Sequence, residues 1–135
     1  MTTTRQVQAW VDGYVHAWTT AAAQDIKALF TEDAEYHERP YETSWVGRDA
    51  IVEGWLSRRP WQEGGWTFKA SILMITGDTA AIQGTGVYKE LGTFENLWVV
   101  TFDTHGTCTE FRMWNNEVHA PPGRPEPTTP ARKAR

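Results

Sequence analysis

The sequence has little cysteine and no long apolar run. Cys108 is the single cysteine among 135 residues, which excludes an internal disulfide framework and a cage of thiolate metal ligands. The uninterrupted apolar stretches are only a few residues long, whereas a transmembrane helix needs roughly 20. Because the first residues, MTTTRQVQAW, contain no apolar signal segment either, we expect a cytoplasmic protein without a membrane partner.

Positive charge is scarce outside the C-terminal segment. The chain has 13 lysines and arginines against 17 aspartates and glutamates, a formal net charge of −4. Four of the basic residues and only one acidic residue lie beyond residue 119, so the rest of the chain is more acidic than the total. Nucleic-acid binding needs a positive face for the phosphates, and this acidic body therefore argues against a nucleic-acid partner.

Proline is rare except in the same C-terminal segment. Residues 119–135, HAPPGRPEPTTPARKAR, hold five of the seven prolines and no large apolar residue. Such a segment can neither continue a helix nor bury a core. We therefore predict one folded domain over residues 1–118, followed by a disordered, basic, proline-rich tail over residues 119–135.

Aromatic residues are abundant, and in the first part of the chain they follow a helical period. The sequence contains 8 Trp, 5 Phe and 4 Tyr. Apolar residues at i, i+3, i+4, i+7, i+8 and i+11 predict an N-terminal helix of about four turns. This stripe consists of Val7, Trp10, Val11, Tyr14, Val15 and Trp18. Similar but shorter patterns predict a second helix over Gln24–Phe30 and a third over Asp49–Arg58.

Later segments have the composition of β-strands. A short strand is predicted over Ala34–Arg39, and turn residues separate four longer ones. These are Trp66–Thr76, Ala80–Glu90, Phe94–Phe102 and Thr107–Glu117. Three helices followed by a meander predict an α+β domain with its helices on one face of an antiparallel sheet. Because Asn96–Phe102 is apolar on both sides, we expect the other face to be covered by a second copy in a homodimer.

Several short runs resemble a known superfamily. They are YVHAW from Tyr14, DIKALFTEDA from Asp25, VGRDAI from Val46, ENLWVVTF from Glu95 and EFRMW from Glu110. Over roughly residues 5–118 the chain resembles the nuclear transport factor 2-like superfamily, and within it the SnoaL-like and ketosteroid isomerase-like branches. The resemblance implies a cystatin-like fold, a cone-shaped barrel whose curved antiparallel sheet wraps around a long N-terminal helix. The same scaffold serves isomerases, cyclases, dehydratases and non-catalytic adaptors, so it leaves the function open.

The ketosteroid isomerase-like pattern implies roles for particular residues. It places an oxyanion-binding tyrosine at Tyr14 and a general base at Glu38, where the family has aspartate. The family's second oxyanion donor, a protonated aspartate, falls on or near Trp98, which offers an indole N–H instead. The resemblance also implies an apolar, substrate-binding cavity wall. Its members are Trp18, Trp55, Phe68, Ile72, Met74, Trp98, Phe111, Met113 and Asn115, of which Asn115 is the polar one.

Strand alternation leaves three alternatives for the base. Tyr36 and Glu38 share one strand face, and His37 and Arg39 share the other. If the first face lines the cone, Tyr36 contacts the substrate and Glu38 is the base, because desolvation raises the pKa of a carboxyl group. If the second face does, His37 is the base. In the third alternative Glu38 has no catalytic role and pairs with Arg39, Arg48 or another cation near the mouth of the cone.

Motifs for metals and cofactors are absent from the sequence. No two histidines have metal-ligand spacing, and there is neither a dinucleotide-binding glycine loop nor a serine nucleophile elbow, so we predict no metal and no cofactor. Three functions remain open. The first is a cofactor-free isomerase, cyclase or dehydratase that acts on a carbonyl compound, and the second is a non-catalytic carrier of a small hydrophobic molecule. The third is a structural dimer whose cone is filled by tryptophans, with Tyr14 only a core residue.

Overall fold

Residues 2–119 of the computed structural model form three helices, six strands and one 3₁₀ turn. The elements are α1 (Thr4–Thr20), α2 (Ala23–Lys27), β1 (Phe30–Arg39), β2 (Thr43–Val46), α3 (Arg48–Ser57), the 3₁₀ turn (Arg59–Gln62), β3 (Trp66–Thr76), β4 (Thr79–Tyr88), β5 (Gly92–Phe102) and β6 (Cys108–His119). Apart from His119, the predicted tail lies outside the described residues. None of the helices within 2–119 is long and apolar enough to cross a membrane.

Helix α1 starts and stops where its sequence provides capping groups. The Thr3 hydroxyl accepts a hydrogen bond from the Gln6 backbone N–H at 3.1 Å, and the Gln6 side chain accepts one from the Thr3 backbone N–H at 2.9 Å. This reciprocal pair is a capping box. The helix ends at Ala21, which adopts a left-handed conformation with φ 53°. The predicted apolar stripe is buried except at Val15, which is half-buried.

The six strands form one curved sheet in the order β2-β1-β6-β5-β4-β3. Neighbouring strands are antiparallel except β1 and β6, which run parallel. The sheet is therefore mixed, whereas the sequence predicted an antiparallel one. The helices lie against its concave face, and β2 and β3 are its two free edges, so the cone is not closed into a barrel.

One strand begins earlier than predicted, and another strand was not predicted. Strand β1 begins at Phe30, which had been placed in the second helix, and Phe30 pairs with Cys108 on β6. Strand β2 was not predicted because it has only four residues and follows the turn at Pro40 and Tyr41, where φ is 77°. Strand β2 forms the edge of the sheet by pairing with β1 across that turn, and a sequence of four residues is too short to indicate such pairing.

Aromatic side chains from α1, α3 and the sheet are a large part of the core. Its largest fully buried aromatic residues are Phe30, Tyr36, Trp98 and Phe111. Glycine makes room for one of the surrounding rings, because a Cβ at Gly84 on β4 would overlap the ring of Phe68 on β3. The small residue is thus required by close packing on the concave face.

The convex face of the sheet carries apolar side chains that no element of residues 2–119 covers. Leu97 on β5 and Trp114 on β6 are cross-strand neighbours, and each is 39% exposed. Leu73 on β3 is 52% exposed. Leu97 and Trp114 thus form an exposed apolar pair on this face.

Candidate functional site

A cavity of about 280 Å³ lies in the cone between α1, the concave face of the sheet and the 3₁₀ turn. Aromatic side chains dominate its wall, with a small number of polar groups among them. The wall consists of Tyr14, Trp18, Tyr36, Glu38, Arg39, Trp61, Trp66, Phe68, Gly86, Tyr88, Leu91, Phe94, Asn96, Trp98, Met113 and Asn115. An apolar concavity with a few convergent polar groups is typical of small-molecule sites.

Strand register sets the depth of each residue in this cavity. Tyr36 lies opposite Phe111 on β6, and both side chains are fully buried. Four residues later on β6, Asn115 lies opposite Asn96 on β5, where the side chains reach solvent. The cavity therefore has a buried end near Tyr36 and a mouth at the two asparagines.

The hydroxyl groups of Tyr14 and Tyr36 form a hydrogen-bonded pair at the buried end. Their oxygens are 2.7 Å apart, and either can be the donor. Burial raises the pKa of both phenols well above the ordinary value of 10.0, and the negative charge of Glu38 raises it further. Both groups are thus neutral at physiological pH. The hydrogen bond between the two hydroxyls uses the proton of only one of them. The O–H of the other therefore remains to donate to a ligand.

Glu38 also faces the cavity, and Arg58 engages both of its carboxylate oxygens. Arg58 Nε donates to Oε2 at 2.9 Å and Nη2 donates to Oε1 at 2.6 Å. The Glu38 side chain is 9% exposed and that of Arg58 is 26% exposed. The guanidinium lies 4.8 Å from the ring centre of Trp61 and 5.3 Å from that of Trp45. A bidentate pair flanked by two aromatic rings holds the carboxylate in one orientation.

This ion pair corresponds to the third sequence alternative in its geometry, although the arginine is not Arg39. Arg39 instead pairs with Glu42 at the surface, at 3.3 Å. The hydrogen bonds to Glu38 raise the pKa of Arg58, so the guanidinium stays charged. If Glu38 took a proton from a ligand, its carboxylate would lose the negative charge that attracts Arg58. Pairing with Arg58 and proton transfer to Glu38 therefore oppose each other.

His37 lies on the opposite strand face, so the alternative that placed it inside the cone is wrong. Its Nδ1 is 2.7 Å from Ser44 Oγ, and its Nε2 is 3.1 Å from Glu35 Oε1. Tyr36 and Glu38 take the inward positions, as one of the alternatives required. Arg39 reaches the cavity mouth as well, because the pairing of β1 with β2 shifts register between His37 and Arg39.

The structure brings most, but not all, of the predicted wall residues together. Those that line the cavity are Trp18, Tyr36, Phe68, Trp98, Met113 and Asn115. Trp55 and Phe111 are instead buried behind the hydroxyl pair, and Ile72 packs half-buried against the core. Met74 is wrong as a wall residue, since it is 62% exposed. The register of β3 against β4 shifts between Ile72 and Met74, which reverses the alternation.

Several wall residues were missed, and two of them could have been found by alternation. Trp66 shares a strand face with Phe68, and Tyr88 is its partner on β4. Burial raises the pKa of Tyr88 to about 12, while contact with the Trp18 indole opposes part of that shift. Trp61 had no strand pattern to reveal it, because it comes from the 3₁₀ turn.

Trp98 does not offer its indole N–H to the cavity as an oxyanion donor. Its Nε1 donates to Asn96 Oδ1 at 3.1 Å, and Asn96 Nδ2 donates in turn to Asn115 Oδ1. Trp98 therefore does not have the oxyanion-donor role that the family pattern implies. It is instead the first of three hydrogen-bonded side chains, Trp98, Asn96 and Asn115, that run from the core to the cavity mouth.

One group of residues within 2–119 has the spacing of metal ligands, and it lies outside the cavity. Glu35, His37 and Glu110 each present a ligand atom within 4.8 Å of the others on the convex face. Arg112 donates to Glu110 Oε2 at 2.9 Å and already compensates that carboxylate. Contacts among these side chains and Arg112 therefore account for their closeness, and a metal ion is not needed to explain it.

Comparisons with known proteins agree with this architecture. The sequence profile of the SnoaL-like domain matches residues 11–129. A protein of unknown function with a cystatin-like fold from Methylobium petroleophilum PM1 superposes with a TM-score of 0.70 at 18% identity, over 92% of this chain and 84% of that one. An NTF-2 like protein of unknown function from Burkholderia xenovorans LB400 gives a TM-score of 0.66 at 13% identity, over 88% and 89%.

A steroid delta-isomerase from Pseudomonas aeruginosa superposes with a TM-score of 0.62 at 11% identity, over 84% of this chain and 81% of that one. At such low identity these structures establish the fold alone. None of the curated proteins matches the sequence. Because the SnoaL-like profile covers most of the residues, the chain belongs to the SnoaL-like domain family.

Proposed function

We propose that the cavity binds a small, flat, largely apolar molecule that carries an oxygen function at its buried end. The observation that carries this proposal is the combination of an aromatic wall with the hydroxyl pair and the Glu38–Arg58 ion pair. A purely structural cone would have no need to leave buried polar groups facing an open volume. The cost of burying them is balanced when a ligand completes their hydrogen bonds.

The wall favours flat ligands because several of its rings lie parallel. Phe68 stacks on Trp98 with centroids 5.0 Å apart and an interplanar angle of 9°. Trp66 stacks on Tyr88 at 5.8 Å and 17°. These stacked pairs make the wall flat and rigid at two places, and a planar ligand ring makes more contact with a flat wall than a bent molecule does.

The buried end favours a carbonyl or phenol oxygen. The free O–H of the hydroxyl pair donates one hydrogen bond, and Glu38 accepts one from a ligand hydroxyl without leaving Arg58, since each carboxylate oxygen has two lone pairs. A ketone oxygen would accept from the free O–H of the hydroxyl pair, whereas a phenol could either accept from that O–H or donate to Glu38. Residues already in place thus support the proposed binding of a small hydrophobic molecule.

Acid–base catalysis on a carbonyl compound is the second candidate, favoured by the 7% exposure of Glu38 beside the hydroxyl pair. In that reaction Glu38 would take the proton next to the carbonyl, and the O–H of Tyr14 would donate to the developing oxyanion. The likeness in fold to a steroid delta-isomerase is consistent with this chemistry. We test it by hydrogen–deuterium exchange of 2-tetralone in D₂O. The wild type should exchange the protons next to the carbonyl faster than buffer alone, and Glu38→Gln should lower the rate to that without protein; a wild-type rate equal to that of buffer would contradict this candidate.

Binding is tested by calorimetric titration with 2-naphthol, 9-fluorenone and 6-acetyl-2-naphthol. Gly86 lines the cavity, and a Cβ there would lie 3.5 Å from Phe68, 4.0 Å from the Thr67 carbonyl oxygen and, in a tight contact, 3.3 Å from the Tyr88 ring. Gly86→Val therefore occupies cavity space and should weaken binding at least tenfold. The control is Thr85→Val, one residue away on the convex face. If the wild type binds none of the three compounds, the proposed function is wrong.

We also propose that a second copy of the chain covers the convex face. Leu97 and Trp114 form an exposed apolar pair there, and residues 2–119 provide nothing to bury it. A homodimer formed by this face would leave both cavities open, because they lie on the opposite side of the sheet.

A further inference from the structure

The polarity of the cavity mouth follows from one donor that cannot change its role. The indole nitrogen of Trp98 carries a hydrogen and has no lone pair to accept with, so the atom of Asn96 that it meets at 3.1 Å must be the amide oxygen. The amide nitrogen of Asn96 then faces Asn115, whose oxygen accepts its hydrogen bond. The orientations of both amides are thus fixed by Trp98, which is 1% exposed.

The last member of this chain has an unused donor. The oxygen of Asn115 is engaged by Asn96, and among residues 2–119 its amide nitrogen makes no hydrogen bond. Asn115 lines the cavity, with Met113 and Phe94 as apolar neighbours in the wall. A ligand that fills the mouth removes water from this N–H₂ group, and it recovers the lost hydrogen bond only by presenting an acceptor.

We propose that Asn115 is a specificity-determining residue that donates to a second oxygen acceptor, a carbonyl or carboxylate, at the mouth end of the ligand. This inference rests on the proposed cavity binding and extends it. Tyr36 pairs with Phe111, four residues before Asn115, so the backbone positions of Phe111 and Asn115 are on the order of 13 Å apart along β6. The ligand class is therefore flat molecules with oxygen functions at both ends, rather than apolar molecules with one.

Two naphthols of nearly the same shape separate this inference from simple cavity binding. 6-Acetyl-2-naphthol has a carbonyl acceptor opposite its phenol, whereas 6-isopropyl-2-naphthol has a methyl group in its place. Wild-type protein should bind the acetyl compound about fivefold to tenfold more tightly in calorimetric titrations, the range of one net hydrogen bond. Without the Asn115 interaction, the more apolar isopropyl compound would bind at least as well.

Asn115→Asp replaces the donor by an acceptor of the same shape, and the preference for the acetyl compound should disappear. Asn116→Asp adds the same charge one residue away, opposite Glu95 on the convex face, and should keep the preference. Asn96→Asp tests the chain of amides. The aspartate still accepts from Trp98 but can only accept from Asn115, which must turn its nitrogen inward and present its oxygen to the ligand. This variant should therefore lose the preference although Asn115 is unchanged.

The outcomes distinguish the role of Asn115 from ligand binding in the cavity. If the wild type binds both naphthols equally, or if Asn115→Asp keeps the preference, the role of Asn115 is wrong while cavity binding stands. Retention of the preference in Asn96→Asp overturns the relay through Trp98. If neither naphthol binds, the proposed function fails and this inference fails with it. Thermal unfolding of each variant close to that of the wild type confirms that the fold is intact.

Discussion

Both carboxylate oxygens of Glu38 accept hydrogen bonds from the Arg58 guanidinium, at 2.6 and 2.9 Å, across 20 residues of sequence. The pair joins the end of α3 to β1 and also forms part of the cavity wall through Glu38. Its carboxylate therefore has a structural partner before any ligand arrives. This arrangement links the stability of the domain to the electrostatics of its site.

Removing Arg58 should destabilise the domain because Glu38 would remain buried without compensation. Arg58→Gln is expected to lower the free energy of unfolding by about 3 kcal/mol, the lower end for a broken buried pair, since Arg58 is partly exposed. Urea unfolding measures this. Arg39→Gln is the control, because the Arg39–Glu42 pair is exposed and should contribute less than about 1 kcal/mol. An equal cost for both variants would contradict the structural role of the ion pair.

The hydroxyl pair should show strong coupling in a double-mutant cycle. Tyr14→Phe leaves the buried Tyr36 hydroxyl without its partner, and Tyr36→Phe does the reverse, so each should cost about 1–3 kcal/mol of unfolding free energy. The double variant removes both polar groups and should cost clearly less than the sum. Tyr41→Phe, at a side chain 94% exposed, serves as the control. Additive single effects would show that the two hydroxyls do not interact.

The stability of the domain should fall in alkaline solution because buried phenols resist ionisation. Burial raises the pKa of Tyr88 from 10.0 to about 12, and the pKa values of Tyr14 and Tyr36 lie higher still. The folded state thus binds more phenolic protons than the unfolded state above pH 10. The contribution is complete below pH 10 and is lost as the pH rises towards 12 and beyond.

Urea unfolding between pH 9 and pH 11.5, followed together with phenolate absorbance at 295 nm, measures this loss. Tyr88→Phe should remove part of the fall in unfolding free energy and leave the remainder, which belongs to Tyr14 and Tyr36. A free energy of unfolding that stays constant over this range would show that the phenols are open to solvent.

Charge on the convex face should separate the two copies of the proposed homodimer. Leu97→Glu and Trp114→Glu each place a carboxylate in the exposed apolar pair, and in a dimer each copy contributes it. Sedimentation should give about twice the chain mass of 15.4 kDa for the wild type and the single mass for either variant. Lys27→Glu, on α2 away from the sheet, should leave the dimer intact. A wild type that sediments as a monomer would contradict the proposal.

The elements that were predicted well are those with local periodicity. The stripe on α1 and the strand Trp66–Thr76 follow from spacing alone, since each repeats its pattern over several turns or residues. The parallel pairing of β1 with β6 could not be predicted, because it depends on contacts across most of the chain. Met74 was misplaced because one register shift reverses alternation and leaves no mark in the sequence.

The lining of the cavity was predicted where one strand face or the family pattern sufficed, as for Tyr36 and Met113. Arg58 was missed because the end of a helix has no fixed relation to a strand 20 residues away. The hydrogen bond between Tyr14 and Tyr36 was likewise not predicted, although one alternative placed both residues inside the cone. What sequence patterns lack is the distance between side chains on different elements, and that distance decides which polar groups pair and which remain for a ligand.

The eight tryptophans allow the central claim, ligand binding inside the cone, to be tested in one measurement. Four of them line the cavity, at Trp18, Trp61, Trp66 and Trp98, whereas Trp10, Trp45, Trp55 and Trp114 do not. We would record the indole N–H resonances of ¹⁵N-labelled protein during titration with 6-acetyl-2-naphthol and assign them by Trp→Phe variants. Binding in the cone predicts saturable shifts of the cavity indoles, with Trp114 on the convex face unchanged. Shifts at Trp114 with the cavity indoles unmoved, or no shifts at all, would contradict it.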